Sequence, residues 1–410
     1  MKVAFVCTLY KPHEIGGAER AVRVLAEALV ARGHEAVVIC LSPDGKPAER
    51  CIDGVKVHYV PLANIYWPHL PAEQRPPWRA SIWHLIDAYN PIMGARVRKI
   101  LVAERPDVLE TNNLLGFSVS VWRAAQRLGI PVVQVLHDYY LGCPNSTMFR
   151  RGKNCATQCG VCKVYATPRR LLSHIPQTVS SVSRRTLQRV EQAGMFGCVQ
   201  RKVIVPSAFD VNHEPGPRQD KPPGSHLTIG FLGRLEATKG IELLLQAVSR
   251  MPADQITLLI AGSGEPQFVD DLQQRYARDN IQFLGFCNPA VFFARIDALV
   301  VPSIWEDPLP RVIFEGFAFG VPPIVARIGG MPEIVDHGST GYIFEPNDPA
   351  ALVNLLQDII RHGLPAQRMR DACYRKSRGF SVEDVLRSHL ADWQSAIDNA
   401  ARSTPLNVPG

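Results

Sequence analysis

The sequence predicts an α/β chain of two domains, each built on a parallel sheet. Three observations carry that expectation. Short apolar runs alternate with stretches of helical spacing along nearly the whole chain, and strands joined through helices pair in parallel. A length of 410 residues suits about two domains. Residues 211–225 are polar and proline-rich, the composition of a linker. The expected division is residues 1–208, residues 209–378, and a C-terminal helix within 379–410.

Residues 3–7 are an apolar first strand, and residues 21–31 an amphipathic helix that Gly33 ends. Between them Gly16 and Gly17 form a turn where backbone can approach a phosphate at the positive end of the helix. The pattern is not G-x-G-x-x-G, which argues against a dinucleotide enzyme. Residues 36–40 and 55–61 read as the next strands. Residues 62–80, with four prolines and two tryptophans, read as a long loop that either faces a substrate or packs on the surface, and helical spacing resumes over 82–102. Residues 107–110 form a strand that ends in Thr111-Asn112-Asn113, followed by a helix over 117–128. Residues 131–136 are a further strand with His137-Asp138-Tyr139-Tyr140 at its carboxyl end, where ligands gather in parallel sheets. A histidine there is either structural or ligand-binding. Strands over 178–182 and 202–206, with a helix over 184–192 between them, complete the first domain.

Cys143, Cys155, Cys159 and Cys162 fall in an insert of about residues 141–165. The spacing C-x11-C-x3-C-x2-C brings four thiols within reach of one tetrahedral zinc, with free thiols, disulfides or an iron-sulfur cluster as the alternatives. Four protein ligands leave no open position, so such a zinc is structural. The other six cysteines are scattered, as reduced thiols are.

The second domain opens with a strand over 227–232 that enters Gly233-Arg234-Leu235-Glu236-Ala237-Thr238-Lys239-Gly240, and a helix over 241–250 follows. Arg234 and Lys239, five apart across a tight turn, can grip a diphosphate from two sides with a planar fork and a point charge. A strand over 256–261 leads to Gly262-Ser263-Gly264, and one over 283–287 carries Gly285 and Phe286. A strand over 298–302 precedes Ser303-Ile304-Trp305-Glu306-Asp307-Pro308-Leu309-Pro310-Arg311. The prolines hold off a helix until about Arg311 and leave Leu309 and Arg311 as backbone N–H donors. Asp307 then lies in the loop at the helix N-terminus and Glu315 just over one turn inside; carboxylates so placed accept hydrogen bonds from vicinal hydroxyls. Residues 329–335 read as the start of another helix, and residues 382–400 as a final amphipathic one.

Together, Gly-Arg-Leu-x3-Lys-Gly at 233–240 and the acid pair Asp307-x7-Glu315 resemble the signature of family 4 retaining glycosyltransferases. His137-Asp138-Tyr139-x3-Cys143-Pro144 resembles a subgroup that builds bacterial surface polysaccharides. The resemblance implies a GT-B fold: two doubly wound, Rossmann-like domains with an interdomain cleft, and a final helix that returns to the first domain. It implies a nucleoside-diphosphate sugar donor on the second domain and a glycan or lipid-linked acceptor on the first. Arg234 and Lys239 would stabilise the departing diphosphate, Glu315 would hold ribose and Asp307 the hexose, with Glu306 as its rival for the first acidic position. Gly16, Gly17 and Glu19 match the Gly-Gly-x-Glu loop that touches donor phosphate or acceptor. His137 would bind a hydroxyl of either substrate, with Asn112 and Asp138 on the acceptor side. The Gly285-Phe286 loop would receive the base, unless Phe286 is simply core. The two cations remove the need for catalytic Mg²⁺. A GT-B epimerase and a non-catalytic sugar-nucleotide scaffold are the competing readings.

Charge divides unevenly: Lys and Arg exceed Asp and Glu by about 13 over residues 1–205, and the remainder carries about −6. A basic first half suits an anionic membrane surface or a phosphate-bearing lipid acceptor, with solvated helix faces as the ordinary alternative. Nucleic acid is disfavoured because no aromatic-interleaved basic strand accompanies the charge. The first apolar run is too short for a signal peptide and no run approaches the roughly 20 residues of a membrane span, so the expected location is cytoplasmic.

Overall fold

The computed structural model describes residues 1–70, 76–209 and 215–403. The chain divides into two compact units: Met1–Met148 with Cys155–Ala208 and Val382–Gly410, and Phe149–Asn154 with Phe209–Ser381.

In the first unit the strands are β1 (Lys2–Val6), β2 (Glu35–Leu41), β3 (Ala48–Ile52), β4 (Val55–Val60), β5 (Val108–Thr111) and β6 (Val132–Leu136). The chain then passes through the hairpin β7 (Phe149–Arg150) and β8 (Lys153–Asn154), which groups with the second unit, and returns for β9 (Thr178–Ser181) and β10 (Arg201–Ile204). The sheet order is β10-β9-β6-β5-β1-β2-β4-β3, all parallel except the edge strand β3. β1, buried between β2 and β5, reads as a continuous apolar run because both faces are covered. Its helices are α1 (Gly17–Ala31), α2 (Pro77–Ala88), α3 (Pro91–Glu104), α4 (Ser120–Gln126), α5 (Gly160–Leu172) and α6 (Arg184–Gln192).

The second unit holds β11 (Leu227–Leu232), β12 (Ile256–Ala261), β13 (Ile281–Gly285), β14 (Ala298–Val301), β15 (Pro323–Ala326) and β16 (Tyr342–Phe344) in the order β13-β12-β11-β14-β15-β16, all parallel. Its helices are α7 (Ile241–Val248), α8 (Pro266–Tyr276), α9 (Pro289–Ala294), α10 (Arg311–Ala318), α11 (Pro349–His362) and α12 (Ala366–Arg378). The last helix, α13 (Val382–Ser403), belongs to the first unit, where Trp393 is buried against Phe5 with ring centroids 5.7 Å apart.

Several local expectations are corrected. The single helix expected over 82–102 is two, broken at Tyr89 and Asn90. Asn90 caps α3 by accepting from Met93 N at 3.2 Å, and Pro91 occupies the first helical position, where a missing N–H costs nothing. For the same reason Pro77 starts α2 inside the stretch read as a loop. The helix expected from 329 is only one 3₁₀ turn, Met331–Glu333. β3 was missed, although Asp53-Gly54, both at positive φ, is a two-residue hairpin turn. Of the expected linker, residues 211–214 lie outside the described residues, and the rest packs on the second unit. There Arg218 donates to Ile296 O at 2.6 Å and Phe293 O at 2.8 Å, and Lys221 pairs with Leu364.

Candidate active site

In the second unit the strand order reverses between β11 and β14, because β12 follows β11 on one side and β14 lies on the other. Loops leaving two such strands diverge and open a crevice at their carboxyl ends. The loop after β11 carries Gly233, Arg234 and Lys239, and the loop after β14 carries Glu306 and Asp307. Lys239 Nζ donates to Asp307 Oδ2 at 2.5 Å, with Lys239 half-buried and Asp307 buried. The same ammonium stands 5.5 Å from the Trp305 ring centroid. Arg234 is exposed and pairs with Glu236 Oε2 at 3.3 Å. An exposed pair of that kind is worth about 0–1 kcal/mol, so it holds the guanidinium only loosely.

Glycines hold these loops together. Gly240 has φ +71°, and a Cβ there would fall 1.9 Å from Pro302 O; beside it Ile304 N donates to Thr238 O at 3.0 Å. Gly329, at φ +61°, leaves room for the Asp307 backbone, since its Cβ would lie 2.1 Å from Asp307 O, which accepts instead from Gly330 N at 2.9 Å. The loops after β11, β14 and β15 therefore meet around Asp307. Glu315 is partly buried, one turn inside α10, whose N-cap Pro310 supplies no side-chain cap. The early amides of α10, Arg311 among them, start the helix just past Leu309.

Phe286 is 93 % exposed on the loop after β13, with Gly285 at φ +66°, which disposes of the core alternative. β13 lies two strands from β11, roughly 10 Å at ordinary strand spacing. On the expectation that this loop receives the base of a nucleotide donor, replacing Phe286 with alanine raises the donor KM about tenfold at nearly unchanged kcat, the scale of one lost base-stacking contact; steady-state kinetics on the variant checks it.

The first unit repeats the topology: β1 is flanked by β2 and β5, so the loops after β1 and β5 diverge. Gly16 N donates to Glu19 Oε2 at 3.0 Å, and a Cβ on Gly16 would meet that oxygen at 2.7 Å. Glu19 is buried, and burial raises its pKa. It shapes the turn at Gly16 and Gly17. At the end of β6, His137 Nε2 lies 2.8 Å from Asn112 Oδ1. Asn112 Nδ2 donates to Glu110 Oε1 at 3.1 Å, and Glu110 Oε2 accepts from His389 Nδ1 at 2.9 Å and Trp393 Nε1 at 2.8 Å. Because Asn112 gives its N–H to the carboxylate, its oxygen takes the proton of His137 Nε2. The imidazole is thereby fixed as the tautomer whose Nδ1 is an acceptor for a substrate hydroxyl. Asp138, pushed up to about 6 by burial, accepts from Tyr140 N at 2.8 Å and shapes the turn.

Burial holds His137 down to about 4, so it is neutral at pH 7. Its folded pKa lies below the unfolded value, so the unfolded chain binds the extra proton between about 6.5 and 4, and that part of the stability is lost as pH falls through this window. His137→Gln is expected to remove on the order of 3 kcal/mol of acid lability between pH 6.5 and 4, read from paired denaturation curves. Asp138 titrates in the opposite sense, so the comparison must be wild type against variant at each pH.

Two descriptions of known families match the chain: "Glycosyl transferase 4-like domain" over residues 16–206 and "Glycosyl transferases group 1" over residues 215–378. The "Uncharacterized 42.6 kDa protein in cps region" of Klebsiella pneumoniae is 29 % identical over 335 residues, 82 % of this chain and 87 % of its own length. The GDP-mannose-dependent alpha-mannosyltransferase of Mycolicibacterium smegmatis is 29 % identical over 387 residues, 90 % and 92 % respectively. Among solved structures, Anabaena HepE in complex with UDP and glucose superposes with a TM-score of 0.69 at 20 % identity, covering 96 % of this chain and 100 % of that one. The chain belongs to the GT-B glycosyltransferases.

Three features of this glycosyltransferase escaped the sequence reading. The hairpin β7–β8, grouped with the second unit, delivers Asn154 to the acidic loop, where Nδ2 donates to Ile304 O at 2.9 Å and Oδ1 accepts from Glu306 N at 2.8 Å. The buried chain from His137 through Glu110 to α13 is the second. The third surrounds Tyr140: its hydroxyl donates to Asp87 Oδ2 at 2.7 Å, and Arg169, fully buried, lies 3.8 Å above its ring and 3.3 Å from Asp87 Oδ2. Of the cysteines, Cys143 and Cys162 hydrogen bond through their side chains, which holds Cys143 down to about 6 and Cys162 up, and Cys162 also meets Cys159. Among the described residues no group of three or more His, Cys, Asp or Glu side chains is arranged to hold a metal ion.

Proposed function

We propose that the protein is a retaining glycosyltransferase that moves a hexosyl group from a nucleoside-diphosphate sugar to the hydroxyl of a glycan or lipid-linked acceptor in surface-polysaccharide synthesis. The contact between Lys239 and Asp307 at the strand reversal of the second unit carries this reading, because it sets a cation for a leaving diphosphate directly beside an acid for a sugar. Arg234 and Lys239 stabilise the negative charge that grows on the diphosphate in the transition state. Asp307 holds the hexose, Glu315 the ribose, and Leu309 and Arg311 supply backbone donors. His137 Nδ1 accepts from a hydroxyl, and the loop of Gly16 and Gly17 faces phosphate or acceptor. The acceptor hydroxyl attacks on the face the diphosphate leaves, and the leaving group takes its proton. Two cations perform the neutralisation, so EDTA leaves the rate unchanged.

Thermal-shift screening with UDP-, GDP- and ADP-sugars identifies the donor, since a ligand at 100 times its Kd adds about 2.7 kcal/mol. Proton NMR of the product then tests the reaction. An anomeric configuration equal to the donor's supports the reading, while inversion, or epimerisation of the donor without acceptor, contradicts it. A structural zinc is proposed from the spacing of the four cysteines alone, since their side chains are not arranged to hold a metal ion in the structure; less than about half an equivalent in the purified protein counts against it.

A further inference from the structure

In the first unit α2 and α5 lie side by side: Tyr165 Oη donates to Ser81 O at 3.2 Å, and the His84 and Tyr165 rings are 5.8 Å apart. Beneath them the buried ion pair of Arg169 and Asp87 fastens one helix to the other. Both helices then turn large apolar side chains away from the core. On α2, Trp83 and Asp87 point inward, while Trp78 (65 % exposed), Ile82 and Leu85 (62 %), spaced by four and three residues, form the opposite face. On α5, Ala166 and Arg169 are buried and Val161, Val164 (63 %) and Leu171 (69 %) face out. Ile65 joins them, linked through the Arg79 guanidinium, which donates to Ile65 O at 3.5 Å. Single exposed apolar residues are ordinary; two adjacent stripes on neighbouring helices are a patch.

The charge around the patch selects its occupant. No Asp or Glu occurs on α5, which carries Lys163 and Arg170 besides the buried Arg169. Lys163 is exposed between Val161 and Val164, and Arg79 follows Trp78. The only acid on α2, Asp87, is buried and already paired. A second copy of this chain would set these cations against themselves, whereas an anionic bilayer offers both apolar depth and opposite charge. Among the described residues no helix is long and apolar enough to cross a membrane. Amphipathic helices with Trp and Leu on one face and Lys or Arg beside it bind in the plane of the interface.

We propose that α2 and α5 together form a membrane-surface docking site, with Trp78, Ile82, Leu85, Val161, Val164 and Leu171 entering the headgroup region of an anionic bilayer and Lys163 and Arg79 meeting its phosphates. The inference goes beyond the proposed transferase reaction and is tested without any sugar nucleotide, so either can fail while the other stands.

The test is co-sedimentation of the full chain with vesicles of phosphatidylglycerol and phosphatidylcholine, against vesicles of phosphatidylcholine alone. Partitioning onto the anionic vesicles, weakened at least about tenfold in Trp78→Ser/Leu85→Ser/Leu171→Ser, is expected. The three side chains are exposed, so an unchanged melting curve shows that the variant folds. Lys163→Glu is expected to weaken binding to the anionic vesicles in the same direction and to abolish its dependence on salt in part. Wild-type protein that stays in the supernatant overturns the proposal, as does a triple variant that sediments like wild type. A concentration-dependent dimer that the triple variant loses, seen by light scattering, assigns the patch to a second copy and also overturns it.

Discussion

Replacing Lys239 with alanine is expected to lower turnover by about 10²-fold or more, the scale of one lost donor to a developing anion. The ammonium pairs with the buried Asp307 carboxylate, so its loss has a second consequence. Asp307 is left without its cation, and the variant is expected to melt earlier. Lys239→Ala/Asp307→Asn separates the two effects. Removing the stranded charge restores melting, while turnover stays low because the diphosphate still lacks its cation and the hexose its carboxylate. A double variant that regained turnover would show that Lys239 serves Asp307 and not the leaving group. Arg234→Ala gives a cleaner reading of the same idea, since its exposed pairing with Glu236 contributes little to folding; it too is expected to lose about 10²-fold in rate.

Arg169→Ala is expected to be the most destabilising single change, about 3–5 kcal/mol, because it breaks a fully buried ion pair from one side. Asp87, Tyr140 and the amide of Gly116, which donates to Asp87 Oδ1 at 2.7 Å, are built around that guanidinium. Burial already pushes Asp87 up to about 6, against the pull of Arg169 and the Tyr140 hydroxyl. Removing Arg169 pushes it further in the same direction. A carboxyl whose folded pKa lies above its unfolded value binds a proton in the folded state, so stability falls as pH rises through that window. The variant's deficit is therefore expected to be larger at pH 8 than at pH 5. Denaturant titration at both values checks the sign, and Arg169→Met/Asp87→Asn is expected to recover part of the loss. Since this pair joins α2 to α5 and pins Tyr140, it also fixes the strand end that carries His137.

The parts of the site that were legible are those whose chemistry is local. Gly233 to Gly240 reads as a diphosphate turn because a strand, two glycines and two cations fall within one short stretch, and Asp307 with Glu315 reads as a sugar-binding pair because prolines fix where α10 begins. What sequence could not show is what approaches from far along the chain. Asn154 braces Glu306 across 152 positions, and His389 reaches Glu110 across 279, and neither residue carries a local pattern. Glu110 was legible only as the end of a strand; its pKa is lowered despite complete burial because His389, Asn112 and Trp393 surround it. Prolines misled the reading where they start helices, at Pro77 and Pro91, because the same residue that breaks a helix interior is well suited to its first turn. Phe286 could have been core by composition, and only the loop position after β13 shows its ring open to solvent.

The loops after β11 and β14 are proposed to form a site for a pyrophosphate-linked sugar. Calorimetric titration with UDP, GDP and ADP tests it most directly, comparing wild type with Arg234→Ala/Lys239→Ala. At least one diphosphate is expected to bind wild type and to bind the double variant about 10²-fold more weakly, close to 3 kcal/mol. If none binds wild type, or the double variant binds as tightly, the cations do not hold a diphosphate and the account fails.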